Sequence, residues 1–166
     1  MRKTSDPRPP SGLLRLMFRV PTVLYRLHLG WLLANRFLLV DHVGRSSGRR
    51  RQVVLEVVQH DAGGGAYTIV SGYGRRADWY QNLLHNPHVV VTVGRRRMAA
   101  VAIPVPEEEG GEILLRYAER HPAAIRGLMR FTGFEADGSD DDYRRVGRQL
   151  RFLRLQPGPT HAGAST

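Results

Sequence analysis

Glycine-rich turns cut the middle of this chain into short apolar runs, and that pattern limits its fold more than any other feature. Phe37-Leu38-Leu39-Val40, Val53 to Val58, Tyr67-Thr68-Ile69-Val70 and Val89 to Val93 are four such runs. A fifth follows, in which Ala99, Val101, Ile103 and Val105 alternate with their neighbours, and Leu150 to Leu155 makes a last one. Runs of this length with β-branched residues predict strands. Gly44-Arg45-Ser46-Ser47-Gly48, Asp61-Ala62-Gly63-Gly64-Gly65 and Gly94-Arg95-Arg96 are turns by composition. Five or six short strands joined mostly by tight turns predict a mainly β, α+β domain built on an antiparallel barrel, not a doubly wound sheet.

Helices are expected between and before the strands. Asp78 reads as an N-cap, with Trp79, Leu83 and Leu84 on one helical face and Asn86-Pro87 as the stop. Pro106-Glu107-Glu108-Glu109 opens a second helix with carboxylates at its positive end, continuing through Ile113, Leu114 and Tyr117. Residues 122–131 read as helical, Gly133 to Asp142 as an acidic loop, and Tyr143 to Gln149 as a short helix. Near the N-terminus, Leu13, Leu14, Leu16, Met17, Val20, Val23, Leu24 and Leu27 recur at helical spacing between arginines, and Pro21 divides that stretch. Such a basic amphipathic helix either caps a core or lies on an anionic membrane. Residues 1–11 and 157–166 read as disordered tails around a single domain over 12–156.

Several function classes fall away. The chain has no cysteine, which removes disulfides, thiolate metal sites and cysteine nucleophiles. No His-Glu-x-x-His or Gly-x-Ser-x-Gly pattern occurs, so zinc hydrolysis and serine hydrolysis lack their signatures. Met1-Arg2-Lys3 is followed by prolines and charge where a leader peptide would be apolar, and no run reaches the roughly 18 apolar residues of a membrane span. A cytoplasmic protein is expected, with membrane contact through the N-terminal helix left open. The 25 basic residues include a single lysine, Lys3, and give a net charge of +10. Arginine forks match phosphate and carboxylate, so anions are the expected partners. Nucleic acid is not favoured: no recognition motif appears, and the arginines gather in loops, not along one helix.

Two segments carry the chemistry. In Gly44-Arg45-Ser46-Ser47-Gly48-Arg49-Arg50-Arg51, two glycines, two hydroxyls and several guanidiniums make a site for phosphate or polycarboxylate, or simply a basic hairpin turn. It is not a P-loop, because the Lys-Ser/Thr ending is missing and a strand follows where a helix is required. In Ser71-Gly72-Tyr73-Gly74-Arg75-Arg76-Ala77-Asp78-Trp79-Tyr80-Gln81-Asn82-Leu83, a strand ends in glycines that let backbone approach a flat ligand, and Trp79 either stacks on a ring or anchors a helix in the core.

Together the ordered set resembles the deazaflavin-dependent nitroreductase family, which includes coenzyme F-420-dependent quinone reductases. Its parts are Gly-Arg-x-Ser-Gly-x-x-Arg, a strand, a Gly-rich loop, Asp-Trp-Tyr-x-Asn-Leu, and Asn-Pro before a valine-rich strand. The resemblance covers roughly residues 30–156. It implies a split β-barrel related to flavin-binding pyridoxamine-phosphate oxidases, and an oxidoreductase that passes hydride from coenzyme F-420, an 8-hydroxy-5-deazaflavin with a phosphate and a polyglutamate tail. The acceptor is a small organic molecule such as a quinone, a nitroaromatic or an enone. By position, Arg45, Ser46, Ser47, Gly48 and Arg51 would hold the phosphate. Val53, Val54 and Leu55, with Ser71, Gly72 and Tyr73, would border the ring. Trp79 and Asn82 would brace the phosphate and ribityl end. No metal is implied.

The chain departs from the family at Val54, where many relatives have proline, and at Ser46, where they have a basic residue. His121-Pro122-Ala123-Ala124-Ile125-Arg126-Gly127 replaces a stretch that carries several tyrosines in quinone-reducing relatives. His42, Tyr73, His121 and Tyr143 are the candidates for a general acid, and the residues alone choose none of them. Flavin mononucleotide (FMN) is the alternative cofactor, a non-catalytic protein that binds the cofactor or a lipid is the alternative function, and monomer and homodimer both stay open.

Overall fold

A computed structural model describes residues 36–158. The tail over 1–11, the N-terminal helices and most of the tail over 157–166 lie outside the described residues. Six strands form a closed antiparallel barrel in the order β1-β2-β3-β6-β5-β4. They are β1 (Phe37–Val43), β2 (Arg50–His60), β3 (Tyr67–Ser71), β4 (His88–Val93), β5 (Arg96–Pro104) and β6 (Arg151–Pro157). Four α-helices join them among the described residues: α1 (Asp78–His85), α2 (Glu107–Arg120), α3 (Pro122–Thr132) and α4 (Asp140–Gln149). None of these helices is long and apolar enough to cross a membrane.

Alternation along the strands separates two cores. Leu38, Val40, Leu55, Val57, Ile69, Val91 and Leu153 fill the barrel, and Tyr80 and Leu83 of α1, with Ala77 just before it, join the same cluster. The outer faces of β2, β3 and β6 present Val58, Val70 and Phe152 to a layer made of α2, α3 and α4. Val57 and Val58 are consecutive yet enter different cores, and the register shift between Val57 and Gln59 is where β2 changes its alternation.

The strands extend beyond their apolar runs. β2 begins at Arg50, not Val53, because Arg50, Arg51 and Gln52 pair with Val43, His42 and Asp41 although none of the three is apolar. In β5 the alternating Ala99 and Ile103 are exposed, whereas Ala100 and Ala102 point inward. Small residues occupy the interior there, and the larger ones face out. The fourth helix starts earlier than expected. Ser139 caps it by accepting from the Asp142 amide, so Asp140 to Asp142 form its first turn and the acidic loop ends sooner.

α2 and α4 meet backbone to backbone. A Cβ on Gly147 would stand 2.5 Å from the Gly110 carbonyl oxygen and 2.7 Å from the Gly111 Cα. Arginines reinforce the crossing, Arg148 pairing with Glu108 at 2.9 Å and Arg144 with Glu112 at 2.8 Å, and others tie α2 to β6, Arg151 pairing with Glu107 at 3.1 Å and Arg154 with Glu109. Exposed pairs of this kind contribute little singly, so the close glycine contact sets the helix spacing. Gly147→Ala is expected to destabilise the fold by about 1–3 kcal/mol through overpacking. Gly127→Ala, at an open helical position with nothing within 4 Å of the new methyl, is expected to be neutral or to stabilise by about 0.4–1 kcal/mol. Thermal melts of the two variants check the pair.

Candidate functional site

The turn after β1 folds because its backbone closes on itself. Gly44 N donates to Arg49 O at 2.9 Å, and Gly48 N donates to Gly44 O at 2.9 Å. Gly48 has φ +64, a left-handed conformation that glycine adopts without penalty. Gly44 has no room for a side chain: a Cβ would lie 2.7 Å from Ser47 Oγ and 2.9 Å from Arg51 Nε. Ser47 Oγ accepts from the Arg49 amide at 3.3 Å. The turn is therefore compact, with Arg45, Ser46, Ser47, Gly48, Arg49, Arg50 and Arg51 all exposed.

Arg45 fastens this turn to α1. Its amide and its Nη1 both donate to Asn82 Oδ1 at 3.0 Å, and its Nη2 meets Asp78 Oδ1 at 3.1 Å. Asp78 does not cap α1. The capping position is Ala77, without a side-chain bond, and Asp78 is the first helical residue, its carboxylate turned to Arg45. Asn82 is buried, whereas Leu84, expected on the buried face, is 43% exposed. A polar residue can take the inner face here because its amide is satisfied at both ends. With Oδ1 occupied by Arg45, Asn82 Nδ2 faces His42 Nδ1 at 3.4 Å. That contact suits a neutral His42 whose Nδ1 carries no proton.

The structure brings most of the expected residues to one end of the barrel, in different roles. Val53 and Leu55 turn into the barrel core, while Val54 pairs with Leu39 and faces out. Ser71 is fully buried, and its hydroxyl donates to Gly74 O at 2.7 Å. Gly72 lies beneath the ring of Phe131 from α3, and Tyr73 meets that ring edge-on at 5.2 Å. Trp79 is half-buried against the barrel core and edge-on to Tyr80 at 5.8 Å. Among the expected donors, Arg45 is engaged by Asp78 and Asn82. Arg49, Arg50 and Arg51 make no ion pair among the described residues. A cleft of about 600 Å³ runs along the outside of β1, β4 and β5 and reaches the root of the turn at Val43 and Arg50.

Of the candidate general acids, His42 is sealed in behind Asn82, and burial lowers its pKa, with Arg51 adding to the effect. Tyr73 is raised above its ordinary value by burial and stays a phenol at neutral pH. His121 and Tyr143 belong to the helix layer: His121 ends α2 against Tyr117, and Tyr143 packs on the outer core. Sequence reasoning did not find the Arg45–Asn82–His42 chain, because its members lie 37 and 40 residues apart. Nor did it find Phe131 over Gly72, or Tyr117 donating to Glu56 beside Arg36.

Two outcomes follow from this cluster. Asn82→Ala removes the acceptor for two Arg45 donors and is expected to cost about 1–3 kcal/mol of stability. Amide exchange should quicken at Arg45 in the same variant. His42 titrates below its ordinary value of 6.5, so the native state resists protonation. Stability should be flat above that value and fall as pH drops through it, because the unfolded chain takes up the proton first. Melting temperatures from pH 8 to 5 should drop further for the native protein than for His42→Gln.

Comparison with known proteins gives this geometry a context. A family model described as F420H(2)-dependent quinone reductase matches residues 22–126. Among curated proteins none matches the chain. Among solved structures, one described as an F420-H2 dependent reductase is 21% identical, covers 74% of this chain and 96% of its own, and superposes with a TM-score of 0.51. A domain-swapped dimer is 20% identical over 82% of this chain and 99% of its own, with a TM-score of 0.51. A protein of unknown function from Agrobacterium tumefaciens is 16% identical over 91% of this chain and 60% of its own, with a TM-score of 0.52. At these identities the structures establish a shared barrel fold.

Proposed function

The chain belongs to the F420H(2)-dependent quinone reductase family, and from that premise we propose that its arginine turn grips the anionic end of coenzyme F420 while the Ser71–Tyr73 loop borders the ring. The protein is an oxidoreductase of the F420-dependent class. The acceptor we propose is a small conjugated organic molecule: a quinone, a nitroaromatic or an enone. When bound, the reduced coenzyme supplies the hydride, so the chain needs no nucleophile of its own.

The observation that carries the reading is the state of the turn. Three exposed arginines, Arg49 to Arg51, and the Ser46 and Ser47 hydroxyls surround one compact loop, and no carboxylate pairs with those three arginines among the described residues. Such a donor set fits phosphate and a tail of carboxylates. Arg45 binds inward instead, and through Asn82 it fixes the turn against the helix that carries Trp79. Asn82 therefore acts on the coenzyme by positioning the turn, and Trp79 supplies the aromatic face beside it. At the ring end, Val54 faces outward from β2, whereas Gly72 is buried beneath the Phe131 ring. The tasks left to the protein are alignment of ring and acceptor and exclusion of water.

Fluorescence titration with F420 and with FMN tests this reading. Tight, salt-sensitive F420 binding is expected, with FMN weaker because it has no carboxylate tail. Changing Arg49, Arg50 and Arg51 together to glutamine should weaken F420 at least about tenfold, or about 1.4 kcal/mol, and should affect FMN less. Equal losses for the two cofactors, or none, would count against the turn as the grip.

A further inference from the structure

The helix layer covers only one side of the barrel. α2, α3 and α4 pack over the outer faces of β2, β3 and β6, and among the described residues no side chain of β1, β4 or β5 joins that outer core. Val91, Ala100 and Ala102 point into the barrel, so alternation turns Val90, Ala99, Val101 and Ile103 outward on β4 and β5. Ile103 is 44% exposed, and the cleft of about 600 Å³ on this face has Val43, Val90, Ala99 and Val101 in its lining. Leu39 faces the same way from β1. It is only 7% exposed, yet it joins neither core among the described residues. An apolar strip running across three strands marks a contact surface.

The chain itself carries a matching surface. Arg36, next to β1, donates to Glu56 Oε1 from Nε at 3.2 Å and from Nη2 at 3.1 Å, and Tyr117 of α2 donates to the same oxygen. These bonds fix the entry to β1 at the edge of the bare face, beside α2. Ahead of it, Leu13, Leu16, Met17, Val20, Leu24 and Leu27 share one side of a helical wheel, and Arg15, Arg19 and Arg26 share the opposite side. Residues 28–35 separate this stripe from the anchor, and a link of that length spans up to about 26 Å. The bare face is narrower, because β1 and β5 flank β4 and stand about 10 Å apart. A short tether of this kind keeps the stripe near the face at a roughly millimolar effective concentration. The cleft does not repel it: the Asp41 carboxylate is already engaged by Gln52 at 2.7 Å and by Arg97 at 3.5 Å. We propose that residues 13–27 pack their apolar stripe across the outer faces of β1, β4 and β5, closing the side of the barrel that α2, α3 and α4 leave bare. The three arginines on the far side of the stripe then face water.

The chain contains no cysteine, so engineered thiols report this contact without background. One thiol is fixed on the face by Ala99→Cys, at an exposed position, and the second is moved along the stripe by Leu13→Cys, Leu16→Cys, Val20→Cys or Leu24→Cys. Arg19→Cys on the opposite side of the wheel, and Ala123→Cys on α3 in place of Ala99→Cys, are the off-target positions. The full chain is oxidised at low concentration with copper phenanthroline, and the products are separated without reductant and weighed by mass spectrometry. A disulfide forms only where the two Cα atoms come within about 7 Å. At least one stripe position should bond to position 99 within a single chain, with a yield at least about fivefold above that of Arg19→Cys or of any pair with Ala123→Cys. Disulfides that join two chains, and rise with protein concentration, would give the face to a second copy and overturn the proposal. Equal yields from stripe and off-target positions also overturn it, as does the absence of any disulfide. In that last case, co-sedimentation of the native protein with phosphatidylglycerol vesicles would assign the stripe to a membrane.

Discussion

Asn82 is buried, and both ends of its amide are used: Oδ1 holds two donors from Arg45, and Nδ2 faces His42. This side chain ties three things that local forces would not bring together. The turn after β1 gains a fixed direction, α1 gains a fixed seat at the end of the barrel, and His42 is held neutral between them. Leu83 and Tyr80 supply the apolar part of that seat, and burial of such side chains stabilises by about 1.5–3 kcal/mol each. Apolar burial alone would allow α1 to rotate. The directional bonds from Arg45 select one orientation, and with it the side on which Asp78 and Trp79 stand.

Much of the barrel was legible in the sequence because a strand with one buried face writes its period into hydropathy. β1, β3 and β4 sit where their apolar runs predict. β2 was read short, since its first residues pair by backbone hydrogen bonds that carry no hydropathy signal. In β5, Ala100 and Ala102 face the interior and are small, so the alternation there carries little contrast in apolar bulk. The cap of α4 lay in a stretch of aspartates that reads as loop until Ser139 is seen to accept from Asp142.

The site was legible in composition and not in geometry. Two glycines, two serines and the arginines marked the turn, and Asp-Trp-Tyr-x-Asn-Leu marked the helix. Which arginine faces inward could not be read, because Arg45 and Arg51 are the same residue type and only the packed structure places Asp78 beside one of them. The same holds for Gly72. Its sequence context suggests a backbone open to a flat ligand, yet the first flat group it meets is the chain's own Phe131. Contacts between residues about 60 positions apart leave no periodic trace.

β6 bonds to β3 on one side and β5 on the other, and it follows every other described strand in the chain. Until it is made, the sheet has two raw margins, with the unpaired amides and carbonyls of β3 and β5 open to any other extended chain. The ring can close only once β6 has been made, and α4 leads straight into that strand. By docking on α2 first, it would deliver the last strand to the gap already aligned, shortening the interval in which nascent copies can stick to one another.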